Sequence, residues 1–246
     1  MISVAIITKN EESNIGRCLD SLNWANEIVI IDSGSTDNTL EICKKYKCKV
    51  VRSKWLGFGK TKQIAVENCK YDWVLSIDAD EVVSSSLSKS IVNIDLQNGE
   101  VAYRIKRKSF YLGKVINFSG WQNDYPLRFF NKNFGNFNTN NVHEEVVTKS
   151  RIKKINNPII HYPYKNINAH LKKIKIYSSL GAELMFNKGK RAFIFKSILA
   201  AILRFTKNFF INLGFLDGFR GLVLCLMSSY YVFLKYHKLR KLNKTQ

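Results

Sequence analysis

At 246 residues the chain fits one large domain, or one domain with an appendage, and a core of that size needs neither disulfides nor a structural metal. Hydrophobic residues at 46% and aromatics at 13% exclude intrinsic disorder, and three prolines exclude a Pro-rich linker protein. A formal net charge of +20 calls for a polyanionic partner, either nucleic acid or an anionic membrane surface.

The chain opens on SVAIITKN, a short apolar run ending in polar residues, which predicts a buried strand. EESNIGRCLDSLNWA then places Ile15, Leu19 and Leu22 at helical spacing. EIVIIDSGSTD predicts a second strand ending at Asp32 and a Ser/Gly turn, and Asp37 stands where an N-cap belongs before NTLEICKKY. CKVVRS predicts a third strand, FGKTKQIAVENC a third helix, and DWVLSIDADE a fourth strand ending in three carboxylates. This alternation predicts an α/β fold, a mostly parallel sheet with helices on both faces. Ligands of such sheets collect at the carboxyl ends of the strands. The polar residues Thr8, Asn10, Glu11, Asp32, Asp78 and Asp80 fall there. The five cysteines form no C-x-x-C pair, so reduced thiols in a cytoplasmic protein without a secretory leader are expected, and zinc binding is not.

No G-x-G-x-x-G follows the first strand, and GFGKTK has the wrong glycine spacing for a P-loop. The D-x-D of Asp78 and Asp80 has two readings. Two carboxylates at a strand end can hold Mg²⁺ or Mn²⁺ against a diphosphate leaving group, or, with Glu81, they can cap the helix that SSSLSKSIVNI predicts. The ordered set SVAIITKNEE, IVIIDSGSTDNT, GKTKQIA and WVLSIDADE resembles the nucleotide-sugar domain of family 2 glycosyltransferases, which have the GT-A fold. The resemblance implies that Thr8, Asn10, Glu11 and Ser35 line the nucleotide pocket and that Asp32 contacts uracil or ribose. It further implies that Lys60 meets the diphosphate, Asp78 the ribose or metal, and Asp80 the metal. Gln63 departs from the asparagine often found at its position.

The middle segment carries GWQNDYPLRFFNK and NNVHEEVVTKS, and GFLDGFRGL follows at 214–222. These resemble the bacterial lipopolysaccharide-core β-1,4-glucosyltransferases. That resemblance implies an acceptor or diphosphate side built from Trp121, Asp124, Arg128 and His143, with Glu144 as the base of an inverting transfer. If VHEEVV is a strand, Glu144 and Glu145 face opposite ways, so only one meets the reacting sugar, and Glu145 remains the alternative base. Trp121 either stacks on a sugar or belongs to the core; Arg128 is otherwise a solvated charge and His143 a packed or surface histidine. His161, His170 and His237 are too widely spaced to suggest a ligand set.

Residues 1–150 hold 20 Lys and Arg against 17 acids, whereas residues 151–246 hold 19 against two, Glu183 and Asp217. From about 166 the pattern is helical and both apolar and basic, with Lys196, Arg204 and Lys207 on one stripe. The longest uncharged stretch there, Gly221 to Leu234, is 14 residues, short of the ~17–25 that span a bilayer. The expected organisation is a GT-A domain over 1–165 and a helical extension over 166–246 that lies on an anionic membrane surface at the cytoplasmic face. The expected activity is metal-dependent transfer of a hexose, glucose by resemblance, from a UDP-sugar to a lipopolysaccharide inner-core heptose. A polyprenyl-phosphate glycosyltransferase is the second enzyme reading. A basic nucleic-acid-binding protein is the third, but the cations sit among Ile, Leu and Phe, which favours lipid, so no nucleic acid is expected.

Overall fold

The computed structural model describes residues 1–97, 99–139 and 144–244. The chain divides into two compact units, Met1–Lys108 with Asp124–Tyr162, and Ser109–Asn123 with Pro163–Gln246. The stretch Ser109–Asn123 groups with the C-terminal helices that follow Pro163.

In the first unit the alternation along β1 (Ile2–Thr8) sets the layers. Ile2, Val4 and Ile6 join a core with Ile15, Leu19, Leu22 and Leu87 on one face, while Ala5 and Ile7 join Ala65 and Val66 on the other. A strand covered on both sides is mostly apolar, and β1 departs from that only at Ser3, whose hydroxyl donates to Glu27, and at the terminal Thr8. Chain order then gives α1 (Ile15–Asp20), β2 (Glu27–Asp32), α2 (Thr39–Cys43), β3 (Lys49–Arg52), α3 (Phe58–Glu67) and β4 (Trp73–Asp78). The next elements are β5 (Glu81–Val83), α4 (Ser85–Val92) and β6 (Val101–Tyr111), followed by β7 (Lys114–Val115), β8 (Leu127–Asn131), β9 (Gly135–Phe137), β10 (Val146–Thr148) and β11 (Arg151–His161). The main sheet runs β3-β2-β1-β4-β8-β6-β11-β5, with β3, β2, β1 and β4 parallel and β8 antiparallel to β4. The parallel half is the one expected from the strand and helix alternation. Asp37 Oδ1 accepts from the Thr39 backbone N–H at 3.0 Å, so it caps α2 from one residue ahead of the N-cap position.

The second unit is led by α5 (Ile167–Asn187), α6 (Ile194–Thr206) and α7 (Gly218–Lys244). A π-helical turn (Lys207–Ile211) and a 3-10 turn (Gly214–Asp217) link the last two. Asp217 anchors this link to the 109–123 stretch, accepting from the backbone N–H groups of Asn117 and Phe118 and from Ser119 Oγ at 2.8–3.0 Å. Trp121 lies in this unit, edge-on to buried Tyr111 and half-buried beside Leu224. It also lines a cavity of about 270 Å³ with Tyr164, His170 and Lys173.

Candidate active site

The carboxyl ends of β1, β2 and β4 carry the polar residues that the strand ends led one to expect. Asp32 is buried, and its carboxylate accepts from the Gly34 and Ser35 N–H groups and from Ser35 Oγ at 2.5 Å. Asn10, at φ +57°, accepts from the Thr36 N–H and donates its own N–H to Ser35 Oγ, which locks the two loops together. The Glu11 carbonyl accepts from the Asn14 and Ile15 N–H groups and so starts α1. A cavity of about 590 Å³ opens beside Asp32, Ser33 and Ser35, with Arg52, Lys54 and Trp55 on its other side. Ser33 Oγ, on its lining, and Thr8 Oγ1, at the end of β1, are buried with no hydrogen-bond partner among the described residues. Buried polar groups of this kind cost about 1–3 kcal/mol each until something satisfies them.

The fourth strand ends in a chain of alternating charge. Lys62, on α3, is 3% exposed, and its Nζ lies 2.8 Å from both Asp78 Oδ1 and Glu144 Oε1. Asp78 Oδ2 accepts from Arg128 Nη2 at 2.6 Å, and the same nitrogen donates to Glu81 Oε1 at 2.9 Å. Glu81, fully buried on β5, also takes Arg107 Nη1 at 3.0 Å, and Arg107 Nε reaches Asp124 Oδ2 at 2.7 Å. Seven groups thus run Glu144, Lys62, Asp78, Arg128, Glu81, Arg107, Asp124 with strictly alternating sign. Burial by itself would push the Asp78 carboxyl up, but Arg128 and then Lys62 hold it well below the usual carboxylate range.

The expected residues therefore divide. Asp78, Arg128, Asp124 and Glu144 are brought together. Lys60 is not the lysine of this cluster, because its Nζ donates to Gln63 Oε1 at 3.0 Å. Lys62 takes that place, and the signal was in the sequence: Lys62, Ala65 and Val66 stand at i, i+3 and i+4 on the buried face of α3. Glu144 and Glu145 precede β10, with Glu144 turned towards Lys62 and Glu145 exposed. His143 lies outside the described residues. The capping alternative for the three carboxylates does not hold, since Ser84 Oγ accepts from Leu87 N and caps α4. Arg107, Arg52 and Trp55 were not singled out from the sequence, while Glu81 was read only as a possible cap and His161 as too isolated for a ligand set.

A divalent ion fits one part of this arrangement and not another. Both oxygens of Asp78 already carry a cation, so it is a poor ligand. Asp80 Oδ2 lies 3.5 Å from His161 Nε2, where the antiparallel pairing of β11 with β5 brings position 161 opposite 81. A carboxylate is the hard oxygen ligand that Mg²⁺ or Mn²⁺ takes alongside phosphate oxygens and water, whereas imidazole suits softer ions. Among the described residues no three His, Cys, Asp or Glu side chains come together as a metal cluster, and the two aspartates differ in surroundings: Asp78 faces Lys62 and Arg128, and Asp80 faces His161.

Polar strand ends around a cavity, with a D-x-D at the fourth strand of a parallel half-sheet, define a nucleotide-sugar transferase fold of the GT-A type. The fold is similar to that of S. aureus TarS residues 1–349 in complex with UDP-GlcNAc, at 17% identity and a TM-score of 0.50, covering 99% of this chain and 91% of that one. Residues 3–149 match the family model "Glycosyl transferase family 2", and the chain belongs to that family. It is 35% identical to a glycosyltransferase of Rickettsia typhi over 98% of this chain and 87% of that protein. It is 28% identical to the lipopolysaccharide core biosynthesis glycosyltransferase LpsC of Rhizobium meliloti over 95% of this chain and 89% of that one.

Proposed function

We propose that this glycosyltransferase moves a hexose, with inversion, from a UDP-sugar to a lipopolysaccharide-core acceptor at the inner face of an anionic membrane. The observation that carries the reading is the single link from Glu144 through Lys62 to Asp78, which sets a candidate base against the D-x-D strand end at 2.8 Å per step. In this reading the uridine occupies the cavity beside Asp32, with Trp55 as a face for the base and Ser33 and Thr8 offering their unsatisfied hydroxyls to the nucleotide. Asp80, with His161 beside it, would hold the ion, which when bound would offset charge on the departing diphosphate. Arg128, 4% exposed, is fixed by Asp78 and Glu81 and adds positive charge beside the leaving group. Glu144 takes the proton from the acceptor hydroxyl as that oxygen attacks the anomeric carbon, the usual task of a positioned carboxylate in inverting transfer. The similarity to LpsC along nearly the whole chain supports the acceptor class.

The test is a screen of nucleotide sugars for Mn²⁺- or Mg²⁺-dependent protection against thermal unfolding, followed by NMR of the product formed on deacylated lipopolysaccharide core. Protection by a UDP-hexose and a β linkage from the α-linked donor are expected. Protection that is indifferent to EDTA would end the ion's role, and an α linkage would end the single-displacement mechanism.

A further inference from the structure

The α6–α7 region is built the reverse way from a water-facing helical pair. Ser197 is the sole buried residue that α6 contributes, and its hydroxyl donates to the Phe193 carbonyl within the helix. Ser229 Oγ donates to the Ala201 carbonyl at 2.7 Å, and buried Asn208 donates to Ser228 Oγ at 3.2 Å. Gly214 and Gly221 let backbone approach backbone: a Cβ on Gly221 would stand 2.0 Å from the Gly214 carbonyl oxygen. Small and polar residues therefore mark the contacts of α6 and the following turns with α7, although α7 also buries Leu224, Val232 and Leu239, and helices that associate in lipid use such residues for close approach and hydrogen bonding.

The large apolar side chains point out. Phe195, Ile202, Leu203, Ile211, Phe215 and Phe219 are between 46% and 73% exposed. Between α6 and α7 an almost wholly apolar depression of about 410 Å³, lined by Ile198, Ile202, Phe205, Leu226 and Phe233 among others, opens on the same surface. A contiguous apolar surface of this extent marks an interaction site. The charge on the region selects the partner. No acidic residue occurs from 188 to 216, and Asp217 is committed to the 109–123 stretch. Arg191, Lys196, Arg204 and Lys207 are exposed. On a wheel of about 100° per residue the three lysine and arginine positions of the stripe span about 80°, next to an apolar arc of about 180°. Cations bordering an apolar arc match phosphates above acyl chains.

Geometry sets the depth. The 13 residues of α6 are about 20 Å long, against about 30 Å of hydrocarbon in a bilayer. No single described helix is long and apolar enough to cross, and the segments Ile194–Ile211 and Gly214–Lys244 meet at a bend of 72°. Leu213, at φ +54°, stands in the break between them.

We propose that the bent α6–α7 element is a hairpin embedded in one leaflet of an anionic bilayer, its outer apolar face among the acyl chains and Arg191, Lys196, Arg204 and Lys207 at the phosphates. This deepens the membrane-surface part of the proposed function from adsorption to insertion, and insertion is measured without donor or acceptor, so the two readings fail separately. The full chain and its Phe195→Trp and Phe219→Trp variants are mixed with phosphatidylcholine vesicles, with and without phosphatidylglycerol. Each added tryptophan is expected to be quenched by lipids brominated along the acyl chain and shielded from acrylamide, relative to wild type. Wild-type protein is expected to stay with the vesicles through high salt and alkaline carbonate. Replacing Phe195, Ile202 and Phe219 together by serine, all at exposed positions, should lower partitioning by more than tenfold at an unchanged melting temperature. Replacing Lys196, Arg204 and Lys207 by glutamate should remove the preference for phosphatidylglycerol and leave the bromine quenching in place. Release of wild type by salt alone, or absence of acyl-chain quenching, overturns insertion. So does a lipid-free dimer that shields both tryptophans, accompanied by unchanged partitioning of the serine variant. Loss of UDP release with the quenching intact counts against the transferase reading and leaves insertion standing.

Discussion

Lys62→Met tests whether the alternating charges act as one unit. The side chain is 3% exposed, and its ammonium sits 2.8 Å from two carboxylates on different elements. Removing one partner of a buried ion pair typically costs about 3–5 kcal/mol. Here Asp78 keeps Arg128 at 2.6 Å, and the Asp78 and Glu144 side chains retain 26% and 18% exposure, so water takes up part of the loss. About 2 kcal/mol is therefore expected, which at about 2–4 °C per kcal/mol lowers the melting temperature by roughly 4–8 °C.

The pH dependence carries the sign. Asp78 is held well below the usual carboxylate range, so its contribution is present above its unfolded value near 3.9 and is lost as pH falls through the folded one. Without Lys62 that value rises. The deficit of the variant should thus be full at neutral pH and should shrink below about pH 4. A double-mutant cycle with Asp78→Asn, read by chemical denaturation, should give a coupling above about 1 kcal/mol. Additivity within about 0.5 kcal/mol, or a deficit that does not change with pH, would refute the argument.

Glu144→Gln should lower kcat by roughly 10²–10⁴ with donor protection retained, whereas Glu145→Gln, at an exposed position, should leave turnover close to wild type. Asp80→Asn and His161→Gln should each abolish metal-dependent donor protection in a thermal-shift assay without lowering the melting temperature of the free protein by more than a degree or two. Trp55→Ala should weaken donor binding by about 5- to 150-fold if the base stacks there, from the ~1–3 kcal/mol usual for a base on an aromatic ring, read by titration calorimetry. His170 is pushed down to about 4 by burial and then by Lys173, so the stability it contributes is intact above about pH 6.5 and lost as pH falls towards 4. That loss is at most about 3 kcal/mol, and His170→Gln should flatten the melting temperature between pH 7 and 4.5.

The parallel half of the sheet was legible because strands covered on both faces are predominantly apolar. The runs at 2–8, 27–32 and 73–78 show this without help from distant residues, and their polar ends mark the site. The antiparallel half was harder to read. VAYRIKRKSFY, on β6, alternates irregularly because Arg104 and Arg107 turn to partners at Tyr125, Asp124 and Glu81, so the charged positions look like solvent-facing ones. The Asp80–His161 pair was also hidden. His161 meets Asp80 through the pairing of β11 with β5, 81 residues apart in the chain, and no local spacing encodes that contact.

The same distance explains why the charge chain was read as separate motifs. Its members come from α3, β4, β5, β6, β8, the segment ahead of β8 and the segment ahead of β10, a span from Lys62 to Glu144. A carboxylate at a strand end can be a ligand, a cap or an ion-pair partner, and its neighbours in sequence do not decide which. The choice is made by what the sheet order brings alongside. With β8 hydrogen-bonded to β4, Arg128 falls within reach of Asp78 and Glu81, and the D-x-D becomes two residues with different work. Asp78, flanked by two cations, belongs to the ion-pair chain, while Asp80 faces His161. Two aspartates that look equivalent in sequence are thus separated by one strand pairing, and the variants above separate them in solution. Asp78→Asn should cost stability, and Asp80→Asn should cost only the metal.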